Sequence, residues 1–107
     1  MKIMNTPIRA EISEPWDEYK VINAKIIRYG KLCNDGDCLL IREDLTNDIY
    51  ALLPRYNKDK IDLIFKKECL IVNIAKLKNP KLIMNIPYRT EDFIFKGIGS
   101  AKIITTK

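Results

Sequence analysis

The chain has no histidine. The commonest general base near neutral pH is therefore missing, and no Cys–His or Ser–His nucleophile pair can be built. Cysteine is scarce too, an odd set of Cys33, Cys38 and Cys69. Cys33 and Cys38 flank a turn, a placement open to metal or disulfide chemistry, but zinc asks for four ligands and no histidine can make up the number. Without secretory marks, unbridged thiols are the simplest reading. Only four glycines occur, and Gly97-Ile98-Gly99 lacks the rest of a phosphate-cradling loop. No apolar run approaches the roughly 20 residues of a membrane-spanning helix. Met1–Asn5 offers neither the continuous hydrophobic stretch nor the small-residue cleavage pattern of a signal peptide. The acidic pairs Glu43-Asp44 and Glu91-Asp92 are adjacent in sequence, so in a strand their carboxylates point apart. Asp35 and Asp37 suit a tight turn better than a calcium site. These gaps lead us to expect an intracellular protein (cytoplasmic, or nuclear in a eukaryote) with no metal or cofactor and no catalytic role.

What is present suits one small folded domain. The 107 residues are 47% apolar and carry a net charge of +5, enough for a modest core and favourable to a polyanionic partner. Lysines are spread through the strands and turns rather than gathered in a tail. We find no internal repeat and no low-complexity segment.

Alternation and turn residues divide the chain. Tyr19–Tyr29 reads as a first strand, with Ile22, Ala24 and Ile26 on one parity and Val21, Asn23, Lys25, Ile27 and Tyr29 on the other. The first set suits a narrow barrel interior and the second a solvated exterior. Asn34-Asp35-Gly36-Asp37 supplies a hairpin turn, followed by a strand over Cys38–Glu43. Thr46-Asn47-Asp48 turns the chain into Ile49–Leu53, where the expected inward set is Ile49, Ala51 and Leu53, leaving Tyr50 and Leu52 outside. Pro54 ends pairing. A short helix is expected over Asn57–Phe65, with Ile61, Ile64 and Phe65 on one side. Glu68–Leu77 is apolar on both faces, as a strand covered on both sides would be, and Lys81–Ile86 reads as a fifth strand after the Asn79-Pro80 corner. Residues 1–18 then form an N-terminal arm, 19–86 the barrel core, and 87–107 a loop ending in the closing strand Ala101–Thr105. Trp16, in the arm, either packs over the barrel's open end or anchors a partner.

This order of strands, with one short helix between the third and fourth, is that of an all-β, five-stranded OB-fold barrel. The stretch Ile41-Arg-Glu-Asp-Leu-Thr-Asn-Asp-Ile-Tyr-Ala-Leu-Leu53 resembles the second and third strands of replication-protein-A-like single-stranded-DNA-binding domains, with Asn47 where the family turn commonly has glycine. Ile74-Ala75-Lys76-Leu77 and Lys81–Ile86 resemble the family's fourth and fifth strands, and Ile12-Ser13-Glu14-Pro15 is similar to the family's approach to its first strand. The resemblance covers about three quarters of the chain. It implies a non-catalytic barrel that binds single-stranded nucleic acid, DNA more than RNA, in replication, repair or genome maintenance.

A single-strand binder needs aromatic faces for bases and cations for phosphates. On the parity above, the exterior of the first three strands offers Lys25, Tyr29, Arg42 and Tyr50. The adjoining loops add Lys31, Arg55, Tyr56, Lys76, Lys78 and Lys81. The tyrosines can equally be ordinary half-buried residues of a small barrel. An alternative function is a protein-interaction subunit, like the small subunit of the replication protein A trimer or of telomere-capping complexes. Outward-facing Ile27, Leu40 and Leu52 favour such a covered face. A viral or plasmid-borne effector directed at a host protein, or self-association of the barrel, also fits the sequence.

Overall fold

The alternation of Ile8, Ala10 and Ile12 with Arg9, Glu11 and Ser13 gives the first strand of the protein, β1 (Pro7–Glu14), in a segment expected to be an arm. The structure is a computed structural model that describes residues 5–14, 17–32, 36–53, 70–84 and 87–105. After β1 come β2 (Asp17–Leu32), β3 (Gly36–Glu43), β4 (Ile49–Leu53), β5 (Leu70–Leu77) and β6 (Phe93–Thr105). Each strand pairs antiparallel with the next, and β6 returns to pair with β1, so the sheet closes into a barrel. Closure gives every strand a partner on both sides over part of its length. The all-β class and the small barrel are as expected. The strands number six rather than five and run in simple sequential order rather than as a Greek key.

The sixteen-residue β2 is shared between neighbours: its first part pairs with β1 and its second with β3. The two ladders overlap at Ala24 and Lys25, and a register shift within the β3 ladder lies between Ile26 and Arg28. Such a bulge changes which side chains face inward. Before it, Ile22, Ala24 and Ile26 face the interior as expected. Beyond it, Arg28 lies opposite Leu40 and Gly30 opposite Cys38, both on the outer side.

Two apolar cores result. The barrel interior holds Ile8, Ala10, Ile12, Ile22, Ala24, Ile26, Leu39, Ile41, Tyr50, Leu52, Val72, Ile74, Ala101 and Ile103. A second core lies on the exterior of β3, β4 and β5, where Cys38, Leu40, Ile49, Ala51, Ala75 and Leu77 are covered by Tyr88 and Phe93. Residues 78–84 and 87–92 thus form a strap over that part of the barrel.

Two 3-10 turns shape this strap, Pro80–Met84 and Thr90–Asp92. The first replaces the strand expected over Lys81–Ile86, of which residues 85 and 86 lie outside the described residues. Its cause is local: Asn79 Oδ1 accepts from the Lys81 amide at 3.0 Å, and the Asn79 carbonyl accepts from Leu82 N at 2.9 Å. An Asn-Pro step with that side-chain bond bends the backbone before a ladder can form. The Ile83 carbonyl then accepts from both Arg28 Nη1 (2.9 Å) and Tyr88 Oη (2.6 Å), and Tyr88 N donates to the Lys31 carbonyl at 2.7 Å. The closing strand is longer than expected, starting at Phe93.

The expected helix over Asn57–Phe65, the centre of the Asn34–Asp37 turn, and Trp16 lie outside the described residues. Of the expected Glu68–Leu77 strand, Leu70–Leu77 is described, and Val72, Ile74, Ala75 and Leu77 are buried across its two faces. The Thr46-Asn47 turn is as expected, with Asn47 at φ 63° and Thr46 Oγ1 accepting from Asp48 N at 3.1 Å. Among the described residues no helix is long and apolar enough to cross a membrane.

Gly30 is what lets the strap seat. A Cβ at that position would stand 2.8 Å from both Cys38 Sγ and Tyr88 Cε2. Gly30→Ala should therefore cost about 1–3 kcal/mol, the usual range for overpacking, read as a lowered urea midpoint at unchanged slope. An unchanged midpoint would show that Tyr88 is not held against this backbone.

Candidate nucleic-acid interface

The structure separates the side chains expected to form one binding groove. Tyr50 lies directly opposite Ile41 and Lys76 and points into the barrel, fully buried. Leu52 is interior as well, and Leu40 is sealed beneath the strap. The expected parity of β4 is thus reversed, for a physical reason. Ile49 and Ala51 are buried under the strap while Tyr50 and Leu52 fill the interior, so the strand is covered on both faces and alternation carries no sign of which face is inside. Tyr29 is 40% exposed but sits opposite interior Leu39, on the other side of the sheet from Arg42. Lys31 is exposed one step further along β2. Arg55 and Tyr56 lie outside the described residues.

Lys78 and Lys81 lie on the strap, while Lys76 lies on β5 opposite Tyr50, on the interior side of the sheet. Lys76 is partly covered and ion-paired with Asp48 at 3.3 Å. Lys78 and Lys81 are exposed and engage the turn through their backbone amides, Lys78 N to the Asp92 carbonyl and Lys81 N to Asn79 Oδ1. Of the described members of the expected set, Lys25 and Arg42 come together on the exterior of the sheet.

That pair is direct. Lys25 and Arg42 are cross-strand partners, both exposed, with Pro7 next in the row on β1. Like charges directly opposite in an antiparallel pair destabilise the sheet. Asp44 Oδ1 relieves Lys25 at 3.3 Å, whereas Arg42 makes no ion pair among the described residues. An anion between the two cations would turn the repulsion into attraction.

The remaining exterior of the barrel was missed by sequence reasoning. Because β1 is a strand, its outward residues Arg9 and Glu11 line up with β2 and β6. One row is Ile104, Arg9 and Asn23; the next is Lys102, Glu11 and Val21. Tyr19 and Val21 are large apolar residues left 61% and 42% exposed on this face. Tyr19 Oη donates to Glu11 Oε1 at 3.0 Å, and Arg9 Nη2 stands 3.7 Å from Glu11 Oε2. The hydrogen bond to the Glu11 carboxylate raises the Tyr19 phenol above its ordinary pKa, since losing the proton would lose the bond. The period-two pattern of residues 7–14 was the signal that could have placed these residues.

The interior tyrosine has a different chemistry. Lys20 Nζ stands 5.4 Å from the centroid of the Tyr50 ring, a cation–π distance. The Tyr50 hydroxyl is buried with no hydrogen-bond partner among the described residues. Burial raises the Tyr50 phenol, against the opposing pull of Lys20 and Lys76. Burial likewise raises the Tyr88 phenol.

No protein-family model, curated protein or solved structure matches this chain.

Two outcomes follow for Tyr50. A buried hydroxyl without a well-formed hydrogen bond among the described residues, approached by the Lys20 ammonium alone, carries a desolvation cost of about 1–3 kcal/mol, so Tyr50→Phe should be at least as stable as the parent in urea unfolding. A large loss would mean that the hydroxyl is bonded. The second outcome concerns pH. A phenol whose folded pKa is raised gives stability that is complete below its unfolded value of about 10.0 and is lost as pH rises through the folded one. Melting temperatures across that range should therefore widen the gap in favour of Tyr50→Phe above pH ~10. A gap that stays constant with pH would show that Tyr50 titrates alike folded and unfolded.

Proposed function

We propose that the barrel is a non-catalytic module for single-stranded nucleic acid, DNA more than RNA, serving replication, repair or genome maintenance. The observation that carries this reading is the exposed Lys25–Arg42 pair, two cations set directly opposite each other on the barrel exterior. A sheet accepts that arrangement at a cost in stability, and a phosphate bridging the pair offsets it. The planar Arg42 guanidinium suits bidentate phosphate contact, and the net charge of +5 favours approach of a polyanion. The ligand would meet the protein beside the strap rather than across β3 and β4, whose exterior the chain covers itself.

The alternative of a protein-interaction subunit has lost the feature that favoured it. Leu40 and Leu52 are fully buried and Ile27 packs against the second core, so these three offer a partner no apolar patch.

Binding of labelled single- and double-stranded DNA and RNA at two salt concentrations tests the proposal. Single strands should bind, with log affinity falling against log salt by about 0.7 for each phosphate neutralised. Arg42→Ala should weaken every sequence similarly and flatten that slope by about 0.7. Lys25→Ala should do less, because Asp44 already holds that side chain. No binding at low salt would overturn the reading.

A further inference from the structure

The strap covers one side of the barrel; among the described residues none packs over the exterior of β6, β1 and β2. This bare face carries Arg9, Lys25, Arg42 and Lys102 against the carboxylates of Glu11 and, at its rim, Asp44. It also holds the most exposed aromatic ring among the described residues, Tyr19. An exposed ring on a strand, flanked by cations, has the two chemistries that a single strand needs: a flat face for a base and charges for its phosphates.

Glu11 occupies the middle of this arrangement. Its carboxylate accepts from the Tyr19 hydroxyl, stands beside the Arg9 guanidinium, and lies in the same row as Lys102. One anion therefore engages or faces the groups that an incoming phosphate would use. From this we infer that the bare face is the base-receiving surface, with Tyr19 as its stacking platform, Arg9 and Lys102 as phosphate partners, and Glu11 as a built-in competitor. The inference rests on the reading that the ligand is single-stranded nucleic acid, and it extends the contact from Lys25 and Arg42 along β2 to Tyr19, a span of about 20 Å.

The binding cycle is an exchange of ionic partners. In the unliganded protein Glu11 orients both Tyr19 and Arg9. On binding, phosphate takes Arg9 and Lys102 while a base lies on the Tyr19 ring, and the Glu11 carboxylate turns to solvent. Each phosphate contact then carries a penalty for displacing Glu11. That penalty lowers affinity while leaving the surface pre-ordered.

Fluorescence anisotropy with a labelled oligothymidylate separates these roles. Tyr19→Ala should bind about 5- to 150-fold more weakly, the loss of one stacked base. Tyr19→Phe keeps the ring and frees Glu11, so it should bind as well as the parent. Glu11→Gln should bind more tightly and with a salt slope steeper by about 0.7, because Arg9 is released to a phosphate. Arg89→Ala, on the strap, should match the parent. Tyr19 is exposed and Glu11 partly so, and circular dichroism melts would check that each variant is folded. If Arg42→Ala weakens binding while Tyr19→Ala and Glu11→Gln leave it unchanged, the proposed function stands and this inference falls. If Tyr19→Phe loses as much as Tyr19→Ala, stacking is wrong. If no form of the protein binds the oligonucleotide, both fall together.

Discussion

The packing of the Tyr88 ring against the backbone of Gly30 decides which parts of this barrel meet solvent. The ring is fully buried, its hydroxyl donates to the Ile83 carbonyl, and its amide donates to Lys31 on β2. Phe93 packs beside it with ring centroids 5.9 Å apart. The tilted geometry is one that aromatic pairs favour. Together these contacts pin the strap over β3, β4 and β5. Remove them, and Leu40, Ala51, Ala75 and Leu77 would face water.

Two consequences follow from that single anchor. The first is that three neighbouring strands are apolar on both sides, which a small antiparallel barrel with one solvated face would not require. The second is asymmetry outside. The strap side is fixed by its own chain, whereas the β6–β1–β2 side shows alternating polar and charged residues with Tyr19 and Val21 standing among them. Any ligand that uses the sheet exterior is directed to that side. The like-charged Lys25–Arg42 row lies where the two sides meet.

Much of the fold was legible in the sequence, and the misses have definite causes. β4 was placed at its full span, Ile49–Leu53, and the interior set Ile22, Ala24 and Ile26 was read correctly because only one parity there is small and apolar. The turn at Thr46-Asn47 was readable because asparagine tolerates the positive φ it adopts. Tyr50 was misplaced because Ile49 and Ala51, on the other parity, are equally apolar. Nothing local in β4 reports a strap that arrives some thirty residues later. The Lys81–Ile86 segment looked like a strand by its apolar content, but the Asn79 side-chain bond to the following backbone outweighed it. The arm was in fact β1, whose alternation was present but short, and its role depends on β6, which lies at the far end of the chain. The candidate site follows the same division. The pairing of Lys25 with Arg42 could be placed from β2 and β3 alone, while the alignment of Arg9 and Lys102 beside Tyr19 needed the closure of the barrel.

The strap seals one side of the barrel, and we propose that the other side receives single-stranded nucleic acid. Amide chemical shifts of the labelled protein, followed as a short single-stranded oligonucleotide is added, address it residue by residue. Binding on the uncovered face predicts changes clustered at residues 9–13, 19–25, 42 and 102, with the strap and the residues sealed beneath it unmoved. Changes concentrated instead at residues 38–40, 49–53 and 78–92 would contradict it, because they would mean that the strap gives way and the ligand lies on the face it now covers.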